Sequence, residues 1–352
     1  MPKNTTASLP RFIELGEMKI GALPRILEKY DIKSKKIMLL CDENTLRIGG
    51  QVMLAALQAK DIDVHEQGVD NSDDPNVMRT AEKIETENPD LIIGFGGGRV
   101  LDVAKLAAGT KNKKYISIPT TLSNDGIASP VSVIKDSKNI PVSHITRAPF
   151  GVIIDLDIIR GAPKRHLMAG VGDLVSNLSA VFDAHLAHQK RSEEINVNAL
   201  ELAESGGHRL LNLENPTIDN TVFLQELAHG LVRSGFAMCI WGTSRPASGS
   251  EHKISHSIDH FCPRCNGLHG EQVGIAAIFT MALQENPSLH AARAFYDRIG
   301  FPCSLTHLGL SRDEFVTVVR NATKIRPERY TVLEDKRPTD KEISHIIDFL
   351  DF

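Results

Sequence analysis

The sequence has few of the features that mark a membrane, secreted or nucleic-acid-binding protein. No stretch approaches the roughly 18 consecutive apolar residues that a membrane-spanning helix needs. Lys and Arg total 40 and Asp and Glu 44, so the net charge of −4 gives no excess of one sign that would point to nucleic acid or an anionic membrane. Five cysteines, an odd number in 352 residues, favour reduced thiols over a disulfide framework. The first residues, MPKNTTASLPRFIEL, lack an apolar core, so we expect no secretory signal and a cytoplasmic protein.

The composition is that of an ordinary globular protein, with 41% apolar and 24% charged residues. At roughly 150 residues per domain, the length predicts about two domains. Short apolar runs that predict strands alternate with helical patterns through the first half. The predicted strands are 12–15, which we place at a sheet edge, 36–41, 62–65, 90–94, 114–118, 131–134 and 151–154, and the predicted helices are 45–58, 76–87 and 99–108. This alternation favours a mostly parallel sheet covered by helices.

Strand patterns vanish after about residue 163, and apolar residues recur at three and four positions instead. The predicted helices are 173–189, 194–211, 219–241, 250–260 and 268–283, with shorter ones to the end. We therefore predict an α/β nucleotide-binding domain over 1–160 and an all-α domain over 161–352. A cleft between two such domains is a common place for a ligand.

A glycine-rich segment, GFGGGRVLD at 94–102, joins a predicted strand to a predicted helix. Consecutive glycines let the backbone approach a ligand closely, and the helix N-terminus that follows offers free N–H groups to a phosphate. The segment is not G-x-G-x-x-G, because Arg99 occupies the sixth place, and it is not a P-loop. Phosphate binding is the favoured interpretation, and a tight strand–helix turn is the alternative.

Two further features at strand ends point to the same edge of the sheet. The hydroxyl-rich loop SIPTTLSNDG at 117–126 follows the next strand, with an ordinary Ser/Thr turn as the alternative. Asp42 ends an earlier strand, where it could accept hydrogen bonds from a ribose or simply cap the helix that follows.

Four histidines fall within eighteen residues of the second half, at 252, 256, 260 and 269. The first three lie on one helical face at i, i+4 and i+8, which resembles metal-ligand spacing. The zinc-protease pattern H-E-x-x-H is excluded because Lys253 stands where the glutamate should be. Cys262 and Cys265 form one Cys-x-x-Cys pair, whereas a structural zinc site of this kind would want a second.

Asp173 opens the predicted helix 173–189, where it is either a helix N-cap or a third metal ligand. One carboxylate oxygen and two imidazole nitrogens would make an open catalytic site.

Taken together, the motifs GFGGGRVLD, IPTTLSNDGIASP, AGVGDLVSN, SGSEHKISH, LHGEQVG and IRPERYTVL resemble those of the archaeal-type sn-glycerol-1-phosphate dehydrogenase family. That family belongs to the superfamily of metal-dependent glycerol dehydrogenases, iron-type alcohol dehydrogenases and 3-dehydroquinate synthase. The resemblance runs from about residue 12 to about residue 335. It implies a dehydroquinate synthase-like two-domain fold with NAD(P)H on the first domain and one divalent metal, usually zinc, in the cleft. It also implies reversible reduction of dihydroxyacetone phosphate to sn-glycerol 1-phosphate, which supplies the backbone of ether phospholipids.

The resemblance carries over to individual positions of this chain. It implies that Asp173, His252 and His269 bind the metal, that Asp125 and His256 are catalytic groups that contact the substrate, and that Asp173 touches the substrate as well. The residues that it assigns to the cofactor are Gly97, Gly98, Arg99, Val100, Leu101, Thr120, Thr121, Leu122, Ser123 and Ser129. The Cys-x-x-Cys pair lies outside the family pattern.

Other readings of the same scaffold remain open. Glycerol dehydrogenase would act on the unphosphorylated substrate, dehydroquinate synthase is a lyase, and a non-enzyme reading is a metal- and nucleotide-binding sensor. A phosphorylated substrate requires basic residues, and the chain offers Arg326, Arg329, Lys253 and Arg264. We expect a small-molecule phosphorylated substrate, no nucleic acid partner, no membrane span and a homo-oligomer.

Overall fold

Residues 8–352 are described by a computed structural model of the chain, in which two compact units are distinguished. The first unit comprises the described residues up to Leu122 together with Gly126–Pro163. The second comprises Lys164–Phe352 together with the short segment Ser123–Asp125.

A six-stranded, fully parallel sheet organises the first unit. Its strands are β1 (Phe12–Gly16), β2 (Lys36–Cys41), β3 (Asp63–Gly68), β4 (Leu91–Gly96), β5 (Lys114–Pro119) and β8 (Gly151–Asp155). The strand order is β1-β8-β5-β4-β2-β3, so the first strand lies at an edge as predicted. The predicted parallel sheet is therefore confirmed.

Two remaining strands, β6 (Val131–Lys135) and β7 (Pro141–Ile145), form a separate antiparallel pair. The sequence predicted β6 but gave no sign of β7. That strand begins with a proline and alternates half-buried with exposed residues, so it lacks the continuous apolar run that marked the buried strands.

The sheet carries apolar side chains on both faces, which is typical of parallel sheets covered by helices. In β2, Ile37 and Leu39 join one core cluster, whereas Met38 and Leu40 join another on the opposite face. The helices of this unit are α1 (Leu23–Lys29), α2 (Glu43–Thr45), α3 (Gln51–Gln58), α4 (Asp74–Glu87), α5 (Gly98–Thr110) and α6 (Leu156–Arg160). A π-helical turn, Leu46–Gly50, joins α2 to α3, so the predicted helix 45–58 is continuous apart from that turn.

The second unit is helical, and no strand occurs between residues 164 and 352. Its α-helices are α7 (Lys164–Arg191), α8 (Val197–Leu211), α9 (Thr221–Trp241), α10 (Ser250–Phe261), α11 (His269–Gln284), α12 (Leu289–Ile299), α13 (Arg312–Ala322), α14 (Val332–Lys336) and α15 (Asp340–Leu350). Short 3-10 turns occur at Asp125–Ile127 and Arg245–Ala247. Across residues 8–352, none of the helices combines the length and apolar character needed to cross a bilayer.

The predicted start of the first helix in this unit is wrong. Helix α7 begins at Lys164, directly after Pro163, and Asp173 lies well inside it. Asp173 is therefore not a helix N-cap, and its buried carboxylate needs another explanation.

Candidate metal and nucleotide sites

Helices α7 and α11 cross so closely that their main chains touch at glycines. A Cβ atom added to Gly172 would lie 2.0 Å from the carbonyl oxygen of Gly270, and one added to Gly270 would lie 1.9 Å from that of Ala169. These two glycines directly adjoin Asp173 and His269 in sequence. The glycine crossing therefore brings a carboxylate on α7 next to an imidazole at the start of α11.

An ion pair holds the same two helices together near their N-termini. Arg165, in the first turn of α7, donates to both carboxylate oxygens of Glu271 at 2.8 and 2.7 Å. Glu271 also accepts from the backbone N–H of Leu268 at 2.7 Å, which fixes the start of α11 at His269.

Asp173, His252 and His269 each offer a ligand atom within 4.8 Å of the others, the distance range of a shared metal ion. The Asp173 Oδ1 atom lies 3.8 Å from His269 Nε2, and the two imidazole centroids are 5.0 Å apart. Within residues 8–352, this is the only group of three or more His, Cys, Asp or Glu side chains with that geometry. Cys262 and Cys265 are free thiols and are not part of it.

The atoms of this cluster that point away from it have hydrogen-bond partners. His252 Nδ1 lies 2.9 Å from Glu251 Oε1, which also accepts from the backbone N–H of Gly249 at 2.6 Å. Asp173 Oδ2 accepts from the backbone N–H of Asp125 at 2.9 Å. These contacts leave Asp173 Oδ1 and the Nε2 atom of His252 for a ligand, as outer partners of metal-binding side chains commonly do.

The protonation states of the cluster fit a divalent cation. Burial, together with Arg326 and Arg329, lowers the pKa of His252 to about 3, so its imidazole is neutral, as a metal ligand must be. Burial, and then the Asp125 carboxylate, raises the pKa of Asp173 well above its ordinary value. A cation bound to Asp173 would offset the cost of burying that negative charge. The donor set of one oxygen and two nitrogens suits zinc and other first-row divalent metals.

Asp125 is held in place by side chains that no sequence motif identifies. Its Oδ2 atom accepts from Ser234 Oγ at 2.7 Å, and Asn177 Nδ2 donates to that hydroxyl at 2.9 Å. Ser234 is 109 residues from Asp125 along the chain, and no motif connects them. The carboxylate is thereby fixed beside Asp173, whose Oδ2 its own backbone contacts.

His256 follows His252 by one helical turn, and its ring centroid lies 6.4 Å from that of His269. Burial, followed by the Arg326 guanidinium, holds the pKa of His256 well below its ordinary value. At neutral pH His256 can act as a neutral N–H donor rather than as an imidazolium. The third residue of the helical histidine series, His260, is exposed.

Of the four basic residues predicted to meet a phosphate, the structure brings two close to the histidines. Arg326 and Arg329 are half-buried, and burial lowers the pKa of Arg329 to about 10. Arg329 donates to the Ser248 carbonyl oxygen at 2.6 Å and to Ser244 Oγ at 3.1 Å. Arg326 has a left-handed backbone with φ of 48°, an uncommon conformation for a side chain of this size that often occurs at functional sites.

The other two basic residues are held by carboxylates. Lys253 is buried and donates to Glu334 at 2.6 Å and to the Arg329 carbonyl oxygen at 2.9 Å. Arg264 is exposed and pairs with Glu314. Lys253 therefore supports the segment that carries Arg329 instead of facing a substrate.

In the first unit, the glycine segment offers free backbone N–H groups at the start of α5. Gly97 is the N-cap of α5 and provides no side-chain hydrogen bond, so N–H groups of the first turn remain for a ligand. A Cβ atom added at Gly97 would meet Thr121 Cγ2 at 3.5 Å. The buried Thr121 Oγ1 has no hydrogen-bond partner within residues 8–352. An orphaned hydroxyl beside a bare helix N-terminus fits a bound pyrophosphate.

The neighbouring cofactor candidates have different surroundings. The backbone N–H of Thr120 donates to the Gly96 carbonyl oxygen at 3.0 Å, which ties the loop after β5 to the glycine segment. Gly98 starts α5, and Val100 and Leu101 are buried in its first turn. The remaining two in this unit, Leu122 and Ser129, are also buried, whereas Ser123 is half-buried and belongs to the second unit.

Asp42 does cap a helix, as one of its two predicted roles requires. Its carboxylate accepts from the backbone N–H of Thr45 at 2.8 Å and, through its other oxygen, from Arg99 Nη2 at 3.0 Å. Burial opposes the charge, but these two hydrogen bonds hold the pKa of Asp42 below its ordinary value. Arg99, the predicted pyrophosphate contact, is thus half-exposed and paired with Asp42.

Comparison with known proteins agrees with this architecture. Residues 14–163 match the family model described as iron-containing alcohol dehydrogenase. A probable glycerol dehydrogenase from Sinorhizobium meliloti superposes with a TM-score of 0.78 at 18% identity, covering 98% of this chain and 97% of that one, and so shares the fold.

Curated relatives define the family more closely. The glycerol-1-phosphate dehydrogenase [NAD(P)+] of Nitrosopumilus maritimus is 34% identical over 97% of this chain and 95% of its own length. The protein of the same name from Hyperthermus butylicus is 36% identical over 92% of each chain. The chain belongs to the glycerol-1-phosphate dehydrogenase family.

Proposed function

We propose that this protein catalyses the reversible, NAD(P)H-dependent reduction of dihydroxyacetone phosphate to sn-glycerol 1-phosphate. The observation that carries the proposal is the Asp173–His252–His269 cluster with two half-buried arginines close enough to lower the pKa of His252. A metal site beside cationic side chains suits a carbonyl substrate that bears a phosphate. The names of the curated relatives support the same reaction.

The reaction consumes dihydroxyacetone phosphate, NAD(P)H and one proton, and it yields sn-glycerol 1-phosphate and NAD(P)+. When bound, the nicotinamide cofactor supplies the hydride, and a divalent metal supplies polarisation of the C2 carbonyl group. The side chains and backbone of this chain would bind and orient the metal, the substrate and the cofactor.

Asp173, His252 and His269 would hold the metal, which we propose to be zinc. Neutral imidazoles and a carboxylate are suitable zinc ligands, and three protein ligands leave a position open for substrate. Asp173 would also border the substrate, since the backbone of Asp125 contacts its carboxylate.

Arg326 and Arg329 would bind the phosphate of the substrate. Guanidinium groups form strong, charge-assisted hydrogen bonds to phosphate oxygens, and partial burial strengthens these bonds by excluding water. Arg326 acts electrostatically on His252, His256 and His269, so it lies near the metal cluster.

Asp125 would orient a substrate hydroxyl group, because its carboxylate is fixed by Ser234. His256, neutral at neutral pH, would donate an N–H hydrogen bond to the C2 oxygen, and the proton that the reaction consumes would arrive from solvent through a water relay.

The cofactor would lie on the first unit, with its pyrophosphate at the N-terminus of α5. Gly97 and Gly98 would present backbone N–H groups, and Thr121 would donate its hydroxyl hydrogen. The remaining predicted cofactor residues of this unit would border the same surface; they are Arg99, Val100, Leu101, Thr120, Leu122 and Ser129. Ser123, which belongs to the second unit, is proposed as a further cofactor contact. We further propose that the product feeds ether phospholipid synthesis in the cytoplasm, a reducing compartment that suits five free thiols.

The substrate comparison tests this proposal against glycerol dehydrogenase activity. With zinc-loaded protein, NADH oxidation should give a kcat/KM for dihydroxyacetone phosphate roughly 10² or more above that for dihydroxyacetone, since each charge-assisted hydrogen bond contributes about 1.5–3 kcal/mol. Inorganic phosphate should compete with the substrate. Arg326→Ala should raise KM for dihydroxyacetone phosphate and leave any rate with dihydroxyacetone intact, and Arg264→Ala is the exposed control. Equal kcat/KM values for the two substrates would reassign the protein to glycerol dehydrogenase activity.

A further inference from the structure

His269 differs from His252 in how the nitrogen turned away from the cluster is held. His252 Nδ1 meets a carboxylate, whereas His269 Nδ1 lies 3.3 Å from the hydroxyl oxygen of Ser255. Ser255 is fully buried on α10. A hydroxyl group both donates and accepts, so by itself it does not decide which nitrogen of the imidazole carries the proton.

The partner of that hydroxyl group is the side-chain amide of Gln272 on α11. Ser255 Oγ lies 2.6 Å from Gln272 Oε1. The amide nitrogen, Nε2, donates to Asp259 Oδ1 at 3.1 Å and lies 3.7 Å from Cys265 Sγ. Gln272 is buried, so its amide group has these partners in place of water.

The donor and the acceptor of each hydrogen bond in this series can be assigned in order, starting from Asp259 and ending at His269. An ionised carboxylate only accepts, so Asp259 requires the Gln272 NH₂ group to face it. The amide oxygen must then face Ser255 and accept its only hydroxyl hydrogen. With that hydrogen used, the Ser255 oxygen can only accept, so His269 must carry its proton on Nδ1. His269 Nε2, the atom 3.8 Å from Asp173 Oδ1, is left with a free lone pair.

We propose that Asp259, Gln272 and Ser255 form a positioning relay that holds His269 in the tautomer able to bind a metal through Nε2. The inference rests on the proposed metal site. Outer hydrogen bonds of this kind fix the tautomer and orientation of a histidine ligand, and their loss typically costs about 10- to 100-fold in metal affinity. The relay also gives the Cys-x-x-Cys segment a place in the structure, because Cys265 contacts the same amide nitrogen.

Ser257 provides a matched control on the same helix. It is a fully buried serine two residues from Ser255, and its hydroxyl group donates to the Val318 carbonyl oxygen at 2.8 Å. Its removal deletes one buried hydrogen bond without touching His269. A purely structural role for Ser255 would make the two alanine variants behave alike.

The experiment measures the zinc affinity of metal-stripped full-length protein by competition with a chromophoric chelator, together with thermal stability. Ser255→Ala should weaken zinc binding by about 10- to 100-fold, and Ser257→Ala should stay within about twofold of wild type at a similar loss of stability. Asp259→Ala should give a smaller loss, on the order of a few-fold, because it removes only the acceptor that orients the Gln272 amide group and leaves Ser255 in place. In ¹⁵N spectra of the metal-free protein, one histidine should change from the Nδ1–H to the Nε2–H form in Ser255→Ala alone.

Each of these measurements can overturn the proposed relay. Equal zinc affinities for Ser255→Ala and Ser257→Ala, or an unchanged histidine tautomer in Ser255→Ala, would overturn the relay. If Ser255→Ala does not fold, Asp259→Ala decides, and wild-type zinc affinity in that variant overturns the relay. Wild-type protein that binds no zinc would instead refute the proposed function, so the two failures are distinguishable.

Discussion

The two units build their candidate sites from different parts of the chain. In the first unit the candidate phosphate site is mainly backbone, with Gly97 at a helix N-terminus and one orphaned hydroxyl group on Thr121. In the second unit the candidate site consists of ionisable side chains, some of whose outward-facing atoms are held by other side chains, as Glu251 holds His252. We therefore expect a backbone site to lose ligand affinity when a side chain is added at a glycine. A side-chain site should lose ligand affinity when one of its side chains is truncated.

The largest expected effect comes from removing a group in the second unit. His252→Ala and His269→Ala should each lower bound metal and reduce kcat/KM by on the order of 10² or more, because the remaining ligands form an incomplete site. Metal analysis and steady-state rates measure this. Chelator treatment of wild-type protein should abolish turnover, and added zinc should restore it. Full activity in metal-free protein would contradict the metal reading.

Adding an atom in the second unit should also matter at the glycine crossing. Gly172→Ala would place a methyl carbon 2.0 Å from a carbonyl oxygen, so α7 and α11 must separate. We expect the free energy of unfolding to fall by about 1–3 kcal/mol, as overpacked cores do. We also expect zinc affinity to fall. Gly68→Ala, where the structure leaves open space, is the control. Denaturant unfolding and zinc competition measure the two effects. Wild-type values for both would show that the close contact of α7 and α11 does not position the metal ligands.

The corresponding addition in the first unit should spare stability. At Gly97 an added Cβ makes only an ordinary contact at 3.5 Å, and the residue does not have a positive φ. Gly97→Ala should therefore keep the wild-type melting temperature while raising KM for NADH by roughly tenfold, since the methyl group fills space needed by the pyrophosphate. Unchanged KM would mean that the cofactor does not approach this backbone.

A smaller effect is expected where the first unit does use charged side chains. Asp42→Ser removes the charge that would repel a 2′-phosphate and releases Arg99 to bind it, while serine still caps the helix. The ratio of kcat/KM for NADPH to that for NADH should rise several-fold, on the order of one ion pair's worth of free energy. A constant ratio would leave Asp42 as a helix cap only.

The smallest effect is expected at the cysteine pair. Neither Cys262 nor Cys265 lies in the metal cluster, and Cys265 touches only the amide of Gln272 near the site. Changing both to serine should leave the rate within a few-fold and the metal content unchanged, because a serine hydroxyl also accepts from that amide. A variant that loses its metal would show that the thiolates belong to the site.

The hydrophobic pattern of the sequence predicted those strands and helices that bury a regular set of apolar residues. The buried strands, such as β4, had continuous apolar runs, and the helical unit repeated at three and four positions, so both were identified. Strand β7 was missed because an exposed hairpin strand carries no such run. The start of α7 was misplaced because Gly170 and Gly172 precede Asp173, and glycines more often lie outside helices than inside them, whereas here both lie within α7.

Within the site, the sequence could identify side chains with distinctive chemistry but not their neighbours. The histidines and Asp173 were predicted from spacing and resemblance, and the structure brings them together. Ser234 and Glu251 carried no local signal of their own, because their partners depend on tertiary packing. Lys253 had the right charge, but the Glu334 contact 81 residues away that occupies it could not be predicted.

The glycine crossing has a consequence for the plasticity of the site. Where main chains already touch, the backbone segments that carry Asp173 and His269 cannot move closer together. His252 stands on α10, a different helix, and its ring is held through a single carboxylate. Exchange of one divalent ion for a smaller one is therefore expected to shift the start of α10 and leave the α7–α11 pair in place. His252 would then be the ligand that moves to fit a different metal ion, while Asp173 and His269 keep their positions.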